Sequence, residues 1–241
     1  MHEFKTFVYL DMEKTGSTFI SRLLNKFSTE APLVQSHHEP LGADYDPKKF
    51  YFISVRNPLD SYLSLYSFGC QEQGKVFARL RARGYQDLYD GTAESFAQWL
   101  TMVMKPMNAK MLGDMYNRVG IAELVGLQSW RYLRLAVGDA EAKFKGCESQ
   151  DDVRRIYEEN KLPTFVVRHE NFVEDLCKLI EGPLAYAIGD VEGALAYARE
   201  TEPLNASTRV DKKGDEGFRI RRRQKARLAE REWLMAELFG Y

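Results

Sequence analysis

The sequence predicts an α/β fold with a central parallel sheet flanked by helices, and three observations carry that expectation. The runs Thr6-Phe7-Val8-Tyr9-Leu10, Phe50-Tyr51-Phe52-Ile53-Ser54-Val55 and Thr164-Phe165-Val166-Val167-Arg168 are apolar, β-branched and aromatic, bounded by charge or polar residues, as buried strands are. Each leads through a short polar turn into a stretch with apolar residues at helical spacing. The chain's 241 residues, 44% hydrophobic and 29% charged, suit one α/β domain with a helical elaboration, and a chain of this length needs no disulfide or metal staple to hold a core. Strands alternating with helices make a parallel sheet, whose ligands bind beyond the carboxyl ends of the strands.

The first strand runs into Lys14-Thr15-Gly16-Ser17-Thr18-Phe19, and Phe19, Ile20, Leu23, Leu24 and Phe27 then recur on one helical face. Ser17 or Thr18 is a natural N-cap for that helix. A strand feeding a helix through glycine and small hydroxyls gathers free N–H groups and a positive dipole end in one place. Lys14 adds a full charge, so the loop reads as an anion site, most naturally for phosphate. A Walker loop needs glycines ahead of its lysine to curl around a phosphate, and Leu10, Asp11, Met12 and Glu13 include none. The loop is therefore tighter than a Walker loop.

From 31 to 46 the chain is a connector punctuated by Pro32, Pro40 and Gly42, with Leu33 and Val34 able to form a short strand before Ser36-His37-His38-Glu39. After the second strand, Arg56-Asn57-Pro58-Leu59-Asp60 reads as a helix start, with Asn57 as cap and Pro58 at the first helical position. Leu59, Tyr62, Leu63 and Tyr66 form its expected core stripe, with Ser64 off it. From about 69 to 146 the pattern is helical and less regular. Five of the eight methionines fall between Met102 and Met115, where they are packing filler or the wall of an adaptable acceptor pocket. The third strand ends at Arg168 and His169, and helices are expected near 176–180, 191–199 and 219–239. Lys14, Arg56 and His169 thus all fall just past strand ends, where one ligand could touch all three.

No run approaches the ~18 apolar residues of a membrane span, and Met1-His2-Glu3-Phe4-Lys5 lacks the layout of a signal peptide. The three cysteines, Cys70, Cys147 and Cys177, are widely spaced with no metal-like pairing, which fits a reducing cytoplasm. The net charge of −1 conceals a segment, 209–227, with nine basic and three acidic residues. Such a patch attracts a multiply charged anion.

These residues carry a resemblance. Lys14-Thr15-Gly16-Ser17-Thr18 resembles the 5′-phosphosulfate loop of sulfotransferases that use 3′-phosphoadenosine 5′-phosphosulfate (PAPS). Val55-Arg56-Asn57-Pro58-Leu59-Asp60 through Ser64 and Tyr66 is similar to their 3′-phosphate segment. Val167-Arg168-His169-Glu170-Asn171 resembles their Arg-Tyr-Glu-Asp strand end, with His169 where tyrosine is usual. Lys212-Lys213-Gly214 with Gly217-Phe218 resembles their late Arg-Lys-Gly…Gly-x-Trp loop, with two conservative replacements.

The resemblance implies a P-loop-nucleotide-kinase-like fold spanning 1–241, with about 69–146 as a helical acceptor-side region. It implies that Lys14 contacts the 5′-phosphate and the bridging oxygen, with Thr15, Gly16, Ser17 and Thr18 as further donors. Phe19 would take the place of an aromatic that stacks on adenine, and His169 would lie near the adenine. Arg56 and Ser64, joined by Lys212, Lys213 and Gly214, would hold the 3′-phosphate. The implied reaction moves a sulfuryl group in line to an acceptor hydroxyl or amine of a small molecule or carbohydrate, leaving adenosine 3′,5′-bisphosphate. It calls for no metal, since fixed cationic donors surround a good leaving group. His37, His38 or Glu39 would be the general base.

Two other readings share parts of this pattern. A nucleotide or small-molecule kinase would have the same strand–lysine loop–helix plan, but a Walker loop and an acidic magnesium site are not apparent. A nucleic-acid-binding protein would use Arg219, Arg221, Arg222, Arg223, Lys225 and Arg227, although such a run is ordinarily a solvated helix face, so no nucleic-acid partner is expected.

Overall fold

The computed structural model describes residues 1–43, 45–200 and 220–241. In chain order its regular elements are β1 (His2–Glu3), β2 (Phe7–Leu10), α1 (Ser17–Phe27), β3 (Val34–Gln35), β4 (Phe50–Val55), α2 (Pro58–Cys70), α3 (Lys75–Arg81), α4 (Ala93–Val103), α5 (Ala109–Leu112), α6 (Leu127–Ala136), α7 (Ala140–Lys143), α8 (Gln150–Asn160), β5 (Phe165–Arg168), α9 (Phe172–Glu181), α10 (Val191–Glu200), α11 (Arg222–Arg231) and α12 (Trp233–Phe239). The fold is α/β. No helix among the described residues is long and apolar enough to cross a membrane.

The five strands form one sheet in the order β3-β1-β2-β4-β5. β2, β4 and β5 are parallel, with Leu10 opposite Ile53 and Val55 opposite Arg168. β1 is antiparallel to both β2 and β3, so the sheet is mixed rather than parallel throughout. The reason is local. β1 returns directly into β2 through a turn closed by the Phe4 N–H on the Phe7 carbonyl at 2.9 Å. So short a connection permits only antiparallel pairing, whereas a parallel crossover needs a dozen residues or more. A two-residue strand also gives no periodicity to read.

Contacts group the chain into two units. Unit one holds Met1–Arg56, Tyr132–Ala140 and the described residues from 157 to 200; unit two holds Asn57–Arg131, Glu141–Ile156 and the described residues from 220 to 241.

In unit one, Phe7, Tyr9, Phe52 and Val167 on one sheet face join Phe19, Ile20, Leu23 and Leu24 of α1, Leu176, Leu179 and Ile180 of α9, and Ala194, Leu195 and Ala198 of α10. Full burial of each large side chain contributes about 1.5–3 kcal/mol. The alternate strand residues Val8, Leu10, Ile53 and Val55 are buried as well. Burial on both faces is what makes these strands read as continuous apolar runs instead of alternating ones.

In unit two, the Asn57 side chain accepts from the Leu59 N–H at 2.9 Å, with Pro58 at the first helical turn and Asp60 beside it, as the sequence predicts. The buried stripe of α2 is Ser61, Tyr62, Leu65, Tyr66 and Gly69, turned away from the expected Leu59 and Leu63. Gly69 makes that rotation possible, because a Cβ there would overlap the Tyr89 ring. Tyr66, Tyr89, Phe96 and Trp99 pack edge-on and stacked around this face. The expected terminal helix is two, α11 and α12, broken at Glu232. That buried carboxylate accepts from Tyr62 Oη and from the Gln128 and Ser129 N–H groups, so it caps α6 from a distant part of the chain. Met104 and Met111 are buried as packing, while Met107 is exposed.

Candidate functional site

The Lys14 loop, Arg56 directly after β4 and His169 directly after β5 all belong to unit one and follow the same ends of the three parallel strands. Two side chains pin the loop from within. Met12 and Thr15 are buried, whereas Glu13 and Lys14 are half-buried. Thr15 Oγ1 donates to the Met12 carbonyl at 2.7 Å and lies 2.6 Å from Ser54 Oγ, which is 2.6 Å from Tyr9 Oη. Each hydroxyl has one proton, so the direction follows: Tyr9 donates to Ser54, Ser54 to Thr15, and Thr15 to the backbone. Burial pushes the Tyr9 phenol well above its usual value and keeps it a donor.

The loop's outer path requires left-handed backbone at Lys14, φ 66°, and at Gly16, φ 91°. Gly16 is the N-cap of α1, and no side chain caps that helix. Ser17 or Thr18 was expected there; instead Ser17 is already the first helical residue. Its hydroxyl therefore does not close off the helix end, and the Ser17 and Thr18 amides are directed out of the N-terminus. The Gly16 carbonyl accepts from Phe19 and Ile20 at 3.0 and 3.2 Å, so the helix starts immediately.

Arg56 crosses to this loop. Its Nη1 donates to the Lys14 carbonyl at 3.3 Å. The bond ties Arg56 to the backbone of the Lys14 loop. The α1 N-terminus, the Lys14 loop and Arg56 thus lie at one sheet edge, and a helix N-terminus favours negative charge.

His169 follows β5 and sits with its ring 5.9 Å from Phe172. Phe172 lies against Gly16 and edge-on to Phe19. Phe19 is only 3% exposed and packs between Phe172 and Tyr197, so its ring belongs to the core and is not presented at the surface. Ser64 lies half-buried on α2, in unit two. Lys212, Lys213 and Gly214 lie outside the described residues.

The histidine segment is organised by a residue the sequence reading passed over. Asp11, directly after β2, is fully buried. Its Oδ1 accepts from the His38 N–H at 3.0 Å and lies 2.7 Å from the Met1 amino nitrogen. Burial by itself would raise the Asp11 carboxyl, but His2, the Met1 amine and His38 together outweigh it and hold the group below its usual value. The Asp11 carbonyl is 2.9 Å from His38 Nδ1. A carbonyl only accepts, so Nδ1 carries the proton and Nε2 of neutral His38 keeps its lone pair. His38 itself is left-handed, φ 59°, and Arg134 Nη1 donates to its carbonyl at 3.2 Å. Three bonds to this one residue over-determine a backbone conformation that non-glycine residues seldom adopt.

The neighbours differ. The His37 side chain is 77% exposed. Glu39 is exposed and pairs with Arg134 at 3.4 Å. Of the three candidate bases, His38 is the one with a fixed ring and an assigned tautomer. Asp11 could have been suspected from its place, since a carboxylate directly after a buried strand must find partners.

Comparison of the chain with protein-family models, with curated proteins and with solved structures returned no match.

Proposed function

We propose that the protein is a PAPS-dependent sulfotransferase that moves a sulfuryl group to an acceptor hydroxyl or amine. The observation that supports this reading is the Arg56 bond to the Lys14 carbonyl, which joins the first residue after β4 to the loop after β2. PAPS has phosphate at both ends of a ribose and so asks for two cationic groups a short distance apart. In this reading Lys14 and the first-turn N–H groups of α1 receive the 5′-phosphosulfate, with Ser17 and Thr18 as hydroxyl donors, and Arg56 receives the 3′-phosphate. The donor set fits that role because it is cationic and amide in character, with the loop backbone fixed by Thr15 and Ser54.

When bound, PAPS supplies an activated sulfuryl group. Lys14 neutralises charge growing on the leaving oxygen, and His38 Nε2 takes the acceptor's proton. The fixed loop and ring place these groups before reaction, so little reorganisation remains. Acceptor class follows from neither segment and stays at hydroxyl or amine.

A thermal-shift comparison tests the reading. Adenosine 3′,5′-bisphosphate should stabilise the protein more than ATP, AMP or NAD at equal concentration, since a ligand stabilises by binding the folded state preferentially. Lys14→Ala and Arg56→Ala should each remove most of that difference. Equal shifts from all four nucleotides, or none, would reject it.

A further inference from the structure

We propose that Asp11, His2 and His37 form a binding site for a divalent transition-metal ion of the zinc class, made of residues not assigned to the nucleotide and argued independently of the sulfotransferase reading. Asp11 Oδ2, His2 Nε2 and His37 Nδ1 lie within 4.8 Å of one another. Oδ2 is 3.6 Å from the His2 nitrogen and 3.7 Å from the His37 nitrogen. Those separations are too long for hydrogen bonds. They are close to the edge of a tetrahedron around zinc, about 3.3–3.5 Å from metal–ligand bonds of about 2.0–2.2 Å. Each imidazole nitrogen would need to approach the carboxylate oxygen by only a few tenths of an ångström to reach that edge length.

The carboxylate itself points to a missing partner. Oδ1 is engaged by the His38 N–H and the Met1 amine, but Oδ2 is buried and has no hydrogen-bond partner among the described residues. Buried carboxylate oxygens are ordinarily satisfied. This one faces two imidazole nitrogens instead, and a cation between them would satisfy it. His38 Nδ1 is also 3.5 Å from Oδ2, but its proton is on the Asp11 carbonyl, so it is not a ligand.

The surroundings hold the ligands in place. The His2 ring stacks on Tyr9 with centroids 5.9 Å apart, and the His37 ring stands edge-on to it at 5.7 Å. His2 Nε2 is 2.9 Å from Ser21 Oγ, whose own proton goes to the Ser17 carbonyl at 2.8 Å. Ligation through Nε2 therefore moves the His2 proton to Nδ1, a buried nitrogen with no hydrogen-bond partner among the described residues, and exchanges the bond to Ser21 for the bond to the ion, while Ser21 keeps its acceptor on Ser17. Two imidazoles and one carboxylate favour zinc, iron, cobalt or nickel over magnesium or calcium. His2 and Asp11 are buried while His37 is exposed, so an ion enters from the His37 side and keeps a solvent-facing position for water or an exogenous ligand.

The test is a titration of the full, untagged chain with Co²⁺ alone, followed by visible ligand-field absorption and by calorimetry. One equivalent should bind with the intense bands of a four- or five-coordinate ion, and Zn²⁺ should displace it. His37→Ala should weaken binding by roughly tenfold or more, and its exposed position means the fold survives the change. His169→Ala, a histidine outside the cluster, should leave the affinity unchanged. Octahedral weak bands, several weak equivalents, an unaffected His37→Ala protein, or equal losses in both variants would each overturn the site. Because the readout uses no nucleotide, failure here and failure of the sulfotransferase reading are distinguishable.

Discussion

The Phe172 ring lies against Gly16 so closely that a Cβ built on that glycine would stand 2.6 Å from Cε2. The residue that starts α9 thereby fixes the backbone that starts α1, and it does so at a left-handed position where only glycine is at ease. Gly16→Ala should lose about 1–2 kcal/mol to the left-handed conformation and a further ~1–3 kcal/mol to overpacking on the ring. Urea unfolding followed by circular dichroism measures the sum. Adding Phe172→Leu to the alanine variant should recover part of it, whereas strict additivity of the two substitutions would mean the ring is not the obstacle.

The hydroxyl chain from Tyr9 through Ser54 to Thr15 gives a second outcome. Thr15→Val keeps the shape but leaves Ser54 without an acceptor and the Met12 carbonyl without a donor. Stranded buried groups of this kind cost about 1–3 kcal/mol. Thr15→Ser retains the hydroxyl and should stay within about 1 kcal/mol of the parent. If the loop is a phosphate site, Thr15→Val should also weaken adenosine 3′,5′-bisphosphate binding more than its stability loss at that temperature explains, as isothermal calorimetry would read.

Much of this edge was legible in the sequence. β4 falls on the predicted run, and β2 and β5 each lose only their leading threonine, because continuous apolar runs announce strands buried on both faces. Asn57 and Pro58 announced α2 through side-chain chemistry that acts within one turn. What could not be read depends on partners far along the chain. His2–Glu3 is a strand only because β2 and β3 lie on either side of it. Asp11 looks like any polar residue after a strand until the 36–38 segment folds back onto it. The break between α11 and α12 is set by Glu232 reaching Gln128 and Ser129, over a hundred positions away. Phe19 has the composition of a ligand-stacking aromatic, and its neighbours Phe172 and Tyr197 decide that it is core.

Buried tyrosines in both units set an alkaline limit on stability. Burial raises the phenols of Tyr9, Tyr62 and Tyr132 well above their usual value; the Glu232 charge adds to the effect at Tyr62 and the neighbouring phenol of Tyr157 at Tyr132. Unfolded tyrosine ionises near ~10, so below that pH these groups contribute their full stability. Above it the unfolded chain loses protons that the folded chain keeps, and stability falls until the folded groups also ionise. The slope should approach about 1.4 kcal/mol per pH unit for each such tyrosine. Denaturant midpoints from pH 8 to 12 would show a plateau and then a decline, with phenolate absorbance of these residues appearing together with loss of far-UV dichroism. Phenolate signals that reach the full tyrosine complement while the protein remains folded would contradict the burial argument.

The geometry around Asp11 separates the three candidate bases. His38 has its Nδ1 proton on the Asp11 carbonyl and its backbone held on both sides, while His37 is exposed and Glu39 is paired with Arg134. If sulfuryl transfer is the reaction, His38→Ala should lower turnover by about 10²–10⁴-fold, the range for removing a general base. Adenosine 3′,5′-bisphosphate affinity should change little, because in that reading the base serves the acceptor and not the nucleotide. Glu39→Gln should stay near parental turnover. Lys14→Ala should reduce both turnover and nucleotide affinity, since its charge acts on the ground state as well as on the leaving oxygen. A His38→Ala enzyme with parental turnover, beside a Glu39→Gln enzyme that has lost it, would transfer the role to Glu39 and make the Asp11–His38 pair a structural clamp.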